Sequence, residues 1–516
     1  MPVYPVGAYT LSSGATLSEI QTALDGTASE TAVYLNAGTY TLSGTLTVPD
    51  KVVLRGAGID SEGVHRTIIT GVVVQFGSGS TSVSPAITYG LDWTGYGLSG
   101  TPTKGDTTLT LDNAGDASVG QWISVYGDND PSLVTNPCNW CGNNSDFHVL
   151  QQIVQVTAKD GSEITISKPL YYTIYGTPEF SRFTIPITYA GLEDLKLDLS
   201  TRDISSTPII KMTGSLFCWV KGVETYMTGG NSSSAHVYMR NSYGNEVRNS
   251  YFHYGRSSAS GANYGLFLAR INTDHKIENN VYRHNRHSIV FEGGGSGIAI
   301  LYNYIDDQYT DDLSYLGNSR TNHGAHPYMN LLEGNIISAI MSDDIFGSSS
   351  HDVFFRNWIW GDETGTDVPS YPPYNGYVAI NIEDEQRYYS FVGNVLGMAS
   401  PFNANWDNAT LLGSSLYPSA AAPFVYSIHS NVRSITIKHG NWDYLTDGVA
   451  YWDGGADHDI KDSYYYASKP DFFGSETWPP IDGTNGTENT IPAKIFYDTG
   501  SWSTTPTNTI TGVSIN

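Results

Sequence analysis

Short apolar segments, each interrupted by one asparagine, recur through the middle of the chain. They are rich in β-branched and aromatic residues, lack a 3.6-residue period and are bounded by Gly, Asn or Asp, which is typical of strands and excludes a helical solenoid. Successive asparagines lie 30, 24, 32, 22 and 37 residues apart, so a coil of about 22 to 24 residues with inserted loops accounts for them. The six asparagines are Asn249, Asn279, Asn303, Asn335, Asn357 and Asn394.

This repeat predicts a parallel β-solenoid. One coil cannot bury its apolar side alone, so coils stack at the strand spacing of about 4.8 Å and share a continuous core. An asparagine at a fixed turn tolerates the left-handed backbone conformation, and its amide can pair with the same amide of the next coil. We therefore expect a ladder of stacked asparagines along the solenoid.

The N-terminal sequence carries a second signature. The segment TLSEIQTAL predicts a short amphipathic helix, and a strand-rich run follows it from Val33 to Gly58. Together with the asparagine repeat, this opening resembles the right-handed parallel β-helix proteins of the pectin-lyase-like superfamily, over residues 15–75 and 186–445. The resemblance implies an all-β, right-handed parallel β-helix with an N-terminal capping helix. It leaves the chemistry open, because this fold hosts lyases, hydrolases, esterases and phage adhesins.

Residues 89–185 follow a different pattern, in which alternating strands are separated by Asp-Gly and Gly-Asp turns. That pattern predicts antiparallel hairpins, and we interpret the segment as a β-module inserted between early coils. After residue 445 the periodicity fades into Tyr-, Pro- and Gly-rich sequence. The predicted organisation is 1–88 as cap and first coils, 89–185 as inserted antiparallel β-module, 186–445 as main β-helix with the candidate active face, and 446–516 as C-terminal cap or tail.

The charge balance narrows the possible partners. Lys and Arg number 26 against 51 Asp and Glu, a net charge of −25, which excludes the basic stripe that nucleic acids require and argues against a membrane surface. Charged residues make up only 15% of the chain, so Ser, Thr, Asn, Gly and Tyr supply much of the polar surface. That composition favours an extracellular protein. The first residues do not form a signal peptide, so we expect a secreted protein whose signal peptide has been removed. We also expect a monomer.

Pairs of aspartates follow two successive segments at the same distance from the asparagine. Asp311 and Asp312 begin eight residues after the asparagine of one coil, and Asp343 and Asp344 begin eight residues after that of the next. Direct stacking would place these carboxylates roughly 5 Å apart, and at least one pKa should rise because they cannot all ionise without cost. An acid/base pair needs such an arrangement. His287 occupies the same offset in the preceding coil.

Two other interpretations of the aspartates remain open. Asp311 and Asp343 could hold a calcium ion, because clustered carboxylates suit hard cations. The pairs could also form a solvated surface ladder without function. If the aspartates form the acid/base pair of a hydrolase, no cofactor is required. If they form a metal site, the cofactor is Ca²⁺.

Further polar and aromatic candidates surround these coils. His351 and Arg356 come one coil after Asp343 and are candidate catalytic groups, whereas His323 and His326 lie in an insertion that could fold over the same face. The predicted substrate-binding group combines three histidines with acidic residues and with aromatic residues able to stack on sugar rings. Its members are His287, His323, His326, Trp358, Trp360, Glu363, Tyr371, Tyr374, Glu383 and Trp406.

The series Asp343, Asp344, Gly347, His351, Arg356 is loosely similar to the pattern of pectin-type glycoside hydrolases. Those enzymes show Gly-His-Gly at the histidine and Arg-x-Lys downstream, whereas this chain has Ser-Ser-Ser-His-Asp and Phe-Phe-Arg-Asn. The pectate-lyase W-x-D-H core is also missing. A basic pair for binding uronates is therefore not evident from the sequence.

These observations favour a secreted polysaccharide-degrading enzyme, first of all a glycoside hydrolase that acts on a neutral or weakly charged polysaccharide. One aspartate would protonate the glycosidic oxygen, and a second would act as nucleophile or activate water. The alternative is a calcium-dependent polysaccharide lyase in which Arg286, Arg356 or His351 abstracts the proton. A further alternative is a non-catalytic carbohydrate-binding adhesin or phage spike.

Overall fold

The computed structural model describes residues 1–77, 91–92, 94–135, 148–183, 187–204, 207–227, 233–255, 261–308, 319–361, 378–399, 424–444, 446–453 and 457–500. Within these residues the chain winds into the all-β, right-handed parallel β-helix that the repeats and the resemblance predict. Successive coils pair strand on strand, so each coil covers the apolar side of its neighbour.

One wall of the β-helix, the first sheet, has twelve strands among the described residues, and every neighbouring pair is parallel. Its strands are Val6–Leu11, Thr31–Leu35, Val52–Arg55, Gly191–Glu193, Trp219–Lys221, Glu246–Arg248, Lys276–Glu278, Ala299–Leu301, Leu331–Glu333, Val353–Phe355, Ser390–Val392 and Ile437–His439.

The remaining walls form the second sheet, with 23 strands in the described ranges, parallel throughout except for the final pair. Its strands are Gly38–Val48, Thr67–Phe76, Ile187–Thr188, Lys196–Asp198, Ile210–Thr213, Ser215–Leu216, Glu224–Tyr226, Ala235–Tyr243, Tyr251–His253, Tyr264–Thr273, Val281–Arg283, His287–Glu292, Gly295–Ser296, Tyr304–Asp306, Ser319–Asn322, Ile336–Ile337, Ile340–Ser342, Trp358–Ile359, Val378–Ile382, Val395–Leu396, Phe424–Ile428, Trp442–Asp443 and Gly448–Val449.

The core runs the length of the coil stack. In the first sheet one inward column is apolar in eight successive coils, and all eight side chains are buried. The strand register aligns them in the order Leu192, Val220, Val247, Ile277, Ile300, Leu332, Phe354 and Phe391.

The predicted asparagine ladder is present. Each side-chain amide donates to the Oδ1 of the next asparagine at 2.8–3.0 Å, through Asn280, Asn303, Asn335, Asn357, Asn394 and Asn441. Asn279 and Asn249 do not belong to it. They lie one position earlier, with φ of 54° and 51°, and bond to each other at 2.9 Å. The left-handed conformation and the amide pairing therefore belong to two neighbouring residues. The residue with left-handed backbone comes first, and the ladder asparagine follows it.

The N-terminal helix Leu17–Gly26 covers the first coils. Thr16 caps it, since its hydroxyl accepts from the backbone N–H of Glu19 while the Glu19 carboxylate accepts from the N–H of Thr16. Ile20, Ala23 and Leu24 point into the β-helix core. The predicted capping helix is confirmed.

The inserted module is a closed antiparallel barrel. Its core is continuous with Leu216, Tyr243, Ile271 and Tyr328 of the β-helix, so the barrel is packed against the coils rather than tethered beside them. The Tyr328 hydroxyl also donates to the carbonyl of Gln151 at 2.8 Å. The barrel strands are Tyr96–Ser99, Thr108–Leu111, Trp122–Tyr126, Gln151–Asp160, Glu163–Ile166 and Glu179–Arg182.

Residues 457–500, here called the C-terminal tail, lie along the outside of the coils. The buried carboxylate of Glu333 holds the tail, because it accepts from the backbone N–H of Tyr464 at 2.9 Å and of Tyr465 at 3.3 Å.

In the described ranges no helix is long and apolar enough to cross a membrane. The remaining elements are the helices Ser430–Arg433 and Pro492–Thr499, the 3₁₀ turns Ala114–Asp116 and Asp471–Phe473, and the strand pair Ile481–Asp482 and Thr487–Glu488.

Candidate functional site

The candidate site lies at one end of three paired strands of the second sheet. The strands His287–Glu292, Ser319–Asn322 and Ile340–Ser342 belong to consecutive coils and run in parallel. Glu292 is the last residue of the first strand, and His323 and Asp343 directly follow the other two. Because parallel strands end at the same edge, these three residues lie on neighbouring coils at one edge of the sheet.

A hydrogen bond joins Asp343 to His323. The Nδ1 of His323 lies 2.8 Å from Oδ2 of Asp343, and the backbone N–H of Ile345 donates to Oδ1 at 3.3 Å. The Asp343 side chain is 0% exposed, whereas that of His323 is 13% exposed. A carboxylate only accepts, so in the neutral imidazole Nδ1 carries the proton and Nε2 the lone pair. Asp343 can therefore orient the imidazole but cannot itself touch a substrate.

The strand register corrects the predicted stacking of aspartates. The backbone N–H of Asp343 donates to the carbonyl of Asn322 at 3.2 Å, so the preceding coil presents Asn322 and His323 beside Asp343. The equal offsets counted from the asparagines do not give this register, because Ser319 pairs with Ile340 although 15 residues separate Asn303 from Ser319 and only four separate Asn335 from Ile340. Asp311 and Asp312 fall among residues 309–318, which lie outside the described residues.

His287 joins the same face, as the sequence predicts. Its ring lies 6.3 Å from that of His323, centroid to centroid, and is stacked on Tyr264 at 5.5 Å. The side-chain amide of Gln308 lies 3.3 Å from Nδ1 of His287. His287 is buried, so it forms part of the floor beside His323.

Asp344 and Glu383 form a second acidic pair at this edge. The backbone N–H of Asp344 donates to Oε2 of Glu383 at 3.2 Å. Burial raises the pKa of Asp344, the negative charges of Asp343 and Asp384 raise it further, and a hydrogen bond to Glu383 opposes the rise. The predicted sites Asp343, Asp344 and Glu383 are thus brought together, and among them Asp344 binds its proton more tightly than an isolated carboxylate does.

Glu292 is a member of the site that the sequence interpretation missed. It packs against Gly324, where an added Cβ would stand 2.9 Å from its Cγ. Burial raises the pKa of Glu292 to about 8, and the negative charge of Asp343 adds to the rise, although Arg270 and Arg240 oppose it. This partly exposed carboxyl group therefore holds its proton at neutral pH. The usable signal was an acid directly after an apolar strand and directly before Gly293.

His326 and His351 do not join this cluster. The imidazole of His326 is buried between two hydroxyl groups, with Nδ1 2.9 Å from Ser348 and Nε2 2.8 Å from Ser350. Desolvation, with a smaller effect of the positive charges of His351 and Arg387, lowers the pKa of His326 to about 3, so it stays neutral. The His351 ring lies against that of Tyr388, 5.0 Å between centroids.

The structure places Arg356 against the C-terminal tail. Its guanidinium donates to three tail carbonyls, those of Lys461 at 2.8 Å, Ile481 at 2.8 Å and Ile460 at 3.0 Å. Trp358 and Trp360 also pack in the cluster that includes tail residues, and their rings are 5.7 Å apart. Arg356 therefore contacts the tail instead of His323, and the Trp358 indole N–H donates to the carbonyl of Gly397 at 3.2 Å. The predicted residues Glu363, Tyr371, Tyr374 and Trp406 lie outside the described residues.

The described part of the chain does not contain a complete set of ligands for the predicted calcium site. No group of three or more His, Cys, Asp or Glu side chains is arranged there to hold a metal ion. Both oxygens of Asp343 already accept hydrogen bonds, from His323 and from the Ile345 backbone. The other predicted ligand, Asp311, lies outside the described residues.

No protein-family model matches the sequence, and no curated protein matches it. Among solved structures, the tailspike protein gp49 from Pseudomonas phage LKA1 aligns with a TM-score of 0.49 and 15% identity, over 73% of this chain and 57% of the tailspike. This chain therefore spans little more than half the length of that protein.

Two solved enzyme structures are also similar. An alginate lyase from Paenibacillus sp. has a TM-score of 0.35 and 11% identity, over 75% of this chain and 94% of its own. The polygalacturonase from Erwinia carotovora ssp. carotovora has a TM-score of 0.29 and 12% identity, over 76% and 93%. The likeness to all three structures concerns the fold.

Proposed function

We propose that the protein cleaves polysaccharide chains as a glycoside hydrolase, with Glu292 as the general acid. The observation that carries the proposal is that, at one edge of the sheet, a carboxyl group whose pKa burial raises to about 8 lies on the coil next to a histidine oriented by a buried carboxylate. Glycosidic bond cleavage needs one group that gives a proton and another that takes one. Glu292 and the pair His323–Asp343 meet both requirements on neighbouring coils.

In the proposed reaction Glu292 donates its proton to the glycosidic oxygen as the bond to the anomeric carbon breaks. The Nε2 of His323 takes a proton from a water molecule, and the water oxygen bonds to the anomeric carbon. Asp343 stabilises the imidazolium that results, because its carboxylate faces Nδ1 at 2.8 Å. A single displacement by water inverts the anomeric configuration, so the proposal predicts an inverting enzyme.

A polysaccharide lyase is the second candidate, favoured by the guanidinium groups close to Glu292. Arg270 and Arg240 both act electrostatically on the Glu292 carboxyl group. In a β-elimination His323 would remove the proton next to a sugar carboxylate, a carbon–carbon double bond would form, and Glu292 would protonate the departing oxygen. Arg270 would stabilise the negative charge that develops on the carboxylate.

Product analysis on a glycan panel separates the two reactions. The full chain is incubated with neutral and acidic polysaccharides, and new reducing ends are scored together with the near-ultraviolet absorbance of unsaturated sugars. Reducing ends without absorbance support hydrolysis, and absorbance supports elimination. Both activities should fall about 10²- to 10⁴-fold in Glu292→Gln and His323→Ala.

Glu163→Gln is the matched control, because Glu163 is an exposed carboxylate on the barrel and its loss should leave the rate unchanged. Full activity of Glu292→Gln on a cleaved glycan would contradict the proposed acid. Glycan binding without any cleavage would instead support the non-catalytic adhesin.

A further inference from the structure

A basic and aromatic platform lies on the second sheet, on the coils that precede the acid–base groups. The register aligns Lys211, Tyr238 and Phe267 in successive coils, and each side chain is partly exposed. The rings of Tyr238 and Phe267 meet edge to face, with centroids 5.3 Å apart. Phe267 also meets Tyr264 at 5.1 Å, so neighbouring rings hold it in place.

Positive charge is concentrated at this platform. Arg240 lies two residues beyond Tyr238 on the same strand and is aligned with Thr213, which lies two residues beyond Lys211 in the preceding coil. Burial lowers the pKa of Lys211, and the positive charge of Arg240 lowers it further, so the two cations repel each other. In a chain whose net charge is −25, two neighbouring cations beside partly exposed aromatic rings form a site suited to an anion.

The platform is continuous with the acid–base groups. The strand register aligns Arg240 with Ala269 and Ala269 with Glu292, so Arg240 lies two coils, about 10 Å, from the proposed acid. The side chain between them is only a methyl group. A sugar chain that runs along the solenoid axis can therefore lie across Ala269 and reach both groups.

We propose that Lys211, Arg240 and Phe267 form a subsite for an acidic sugar residue, with the sugar ring on Phe267 and its anionic substituent between Lys211 and Arg240. This inference rests on the proposed function and identifies the substrate as an anionic polysaccharide, instead of the neutral or weakly charged one that the sequence favours. Apolar sugar faces stack on aromatic rings, and a carboxylate or sulfate forms charge-assisted hydrogen bonds with both cations.

Binding is measured by titration calorimetry on the full chain carrying Glu292→Gln, so that cleavage does not interfere. The probes are hexasaccharides of galacturonate, of mannuronate, of hyaluronan and of chondroitin sulfate, each with a carboxyl-reduced or desulfated counterpart. At least one acidic probe should bind about tenfold or more tightly than its uncharged counterpart, and added salt should weaken it. Comparing the carboxyl-reduced with the desulfated probes shows whether the subsite binds a carboxylate or a sulfate group.

Variants test the residues themselves. Lys211→Gln combined with Arg240→Gln should remove the preference for the acidic probe, and Phe267→Ala should weaken both the acidic and the uncharged form. Lys469→Gln, which removes an exposed tail lysine, is the charge-matched control and should bind normally. Thermal unfolding of each variant confirms that it is folded.

Equal binding of acidic and uncharged probes, or no binding of any acidic probe, would overturn the subsite. If a neutral glycan is nevertheless cleaved in a Glu292-dependent way, the proposed function stands while the subsite fails. If acidic probes bind through Lys211 and Arg240 but nothing is cleaved, the subsite stands and the enzyme proposal fails.

Discussion

The Oδ2 atom of Asp343 lies 2.8 Å from Nδ1 of His323, and no part of the Asp343 side chain reaches solvent. One residue of this pair is thus positioned to act on a substrate and the other only to orient it. The sequence interpretation gave Asp343 the catalytic role and His323 a binding role. The geometry supports the reverse assignment for proton transfer.

The Asp343→Asn substitution should reduce kcat by about 10²- to 10⁴-fold and change KM little. The amide still fits the site but cannot stabilise an imidazolium, and it favours the wrong tautomer of His323. Steady-state kinetics on the cleaved glycan measures the effect. If Asp343→Asn keeps full kcat while His323→Ala loses it, the histidine acts without help from the carboxylate.

Activity should decline on the alkaline side with the titration of Glu292. Because burial raises the pKa of Glu292 to about 8, the acid form dominates at neutral pH and is lost above that value. The rate should then fall about tenfold per pH unit. A pH–rate profile of kcat/KM checks this, and an alkaline limb that is unchanged in Glu292→Asp would assign the titration to another group.

The same pKa makes a prediction about stability. The pKa of Glu292 is raised above its ordinary value of 4.5, so the folded state binds the proton more tightly than the unfolded state. The stabilising contribution of the proton is complete below pH 4.5 and disappears as pH rises through about 8. Glu292→Gln should therefore raise Tm relative to the native chain, by an amount that grows between pH 5 and pH 8.

Calorimetric melting curves at several pH values provide the comparison, with Glu163→Gln as the exposed control. A Tm difference between Glu292→Gln and the native chain that does not vary with pH would show that Glu292 does not titrate in this range.

Arg356→Ala should destabilise the protein without an equivalent loss of turnover. The substitution leaves three tail carbonyls without their guanidinium donor and should cost roughly 2–4 kcal/mol. Tm and the protease sensitivity of the tail report the loss, and kcat is measured at a temperature where the variant is folded. A fall in kcat with unchanged Tm would instead support the catalytic role that the sequence suggested.

Asn335→Ala should weaken the coil stack from its middle. Its side chain accepts from the backbone and the amide of Asn303 and donates to Asn357 and to the carbonyl of Ile300. Loss of these bonds at a buried position should cost roughly 2–4 kcal/mol. Thermal melting of Asn335→Ala is compared with that of Asn485→Ala, a change at an exposed turn. Equal melting temperatures would show that the ladder contributes little to stability.

The fold followed from the sequence because its determinants are local and repeated. Strand-forming segments at coil spacing indicate stacked coils wherever they occur, and the Asp-Gly turns of the inserted module indicate antiparallel pairing within a few residues. The asparagine ladder was predicted for the same reason. Its register was wrong by one position at Asn249 and Asn279, because the ladder position is the following residue, Ser250 in one coil and Asn280 in the other.

The site was predicted only in part. His323, Asp343, Asp344 and Glu383 do come together, because they follow neighbouring strands that end at the same edge, and the ring of His287 lies 6.3 Å from that of His323. Counting from the asparagines could not pair His323 with Asp343, since coils contain insertions of unequal length.

By itself, the sequence determined that the chain is a parallel β-helix with a capping helix and an inserted antiparallel module, because alternation and repeat length act over short distances. Only the tertiary structure decided which side chains of different coils meet. It brought Glu292 close to Asp343, and it placed the Arg356 guanidinium against the C-terminal tail. The physical reason is that burial and neighbouring charge, which set the pKa of Glu292, come from residues far away in the chain.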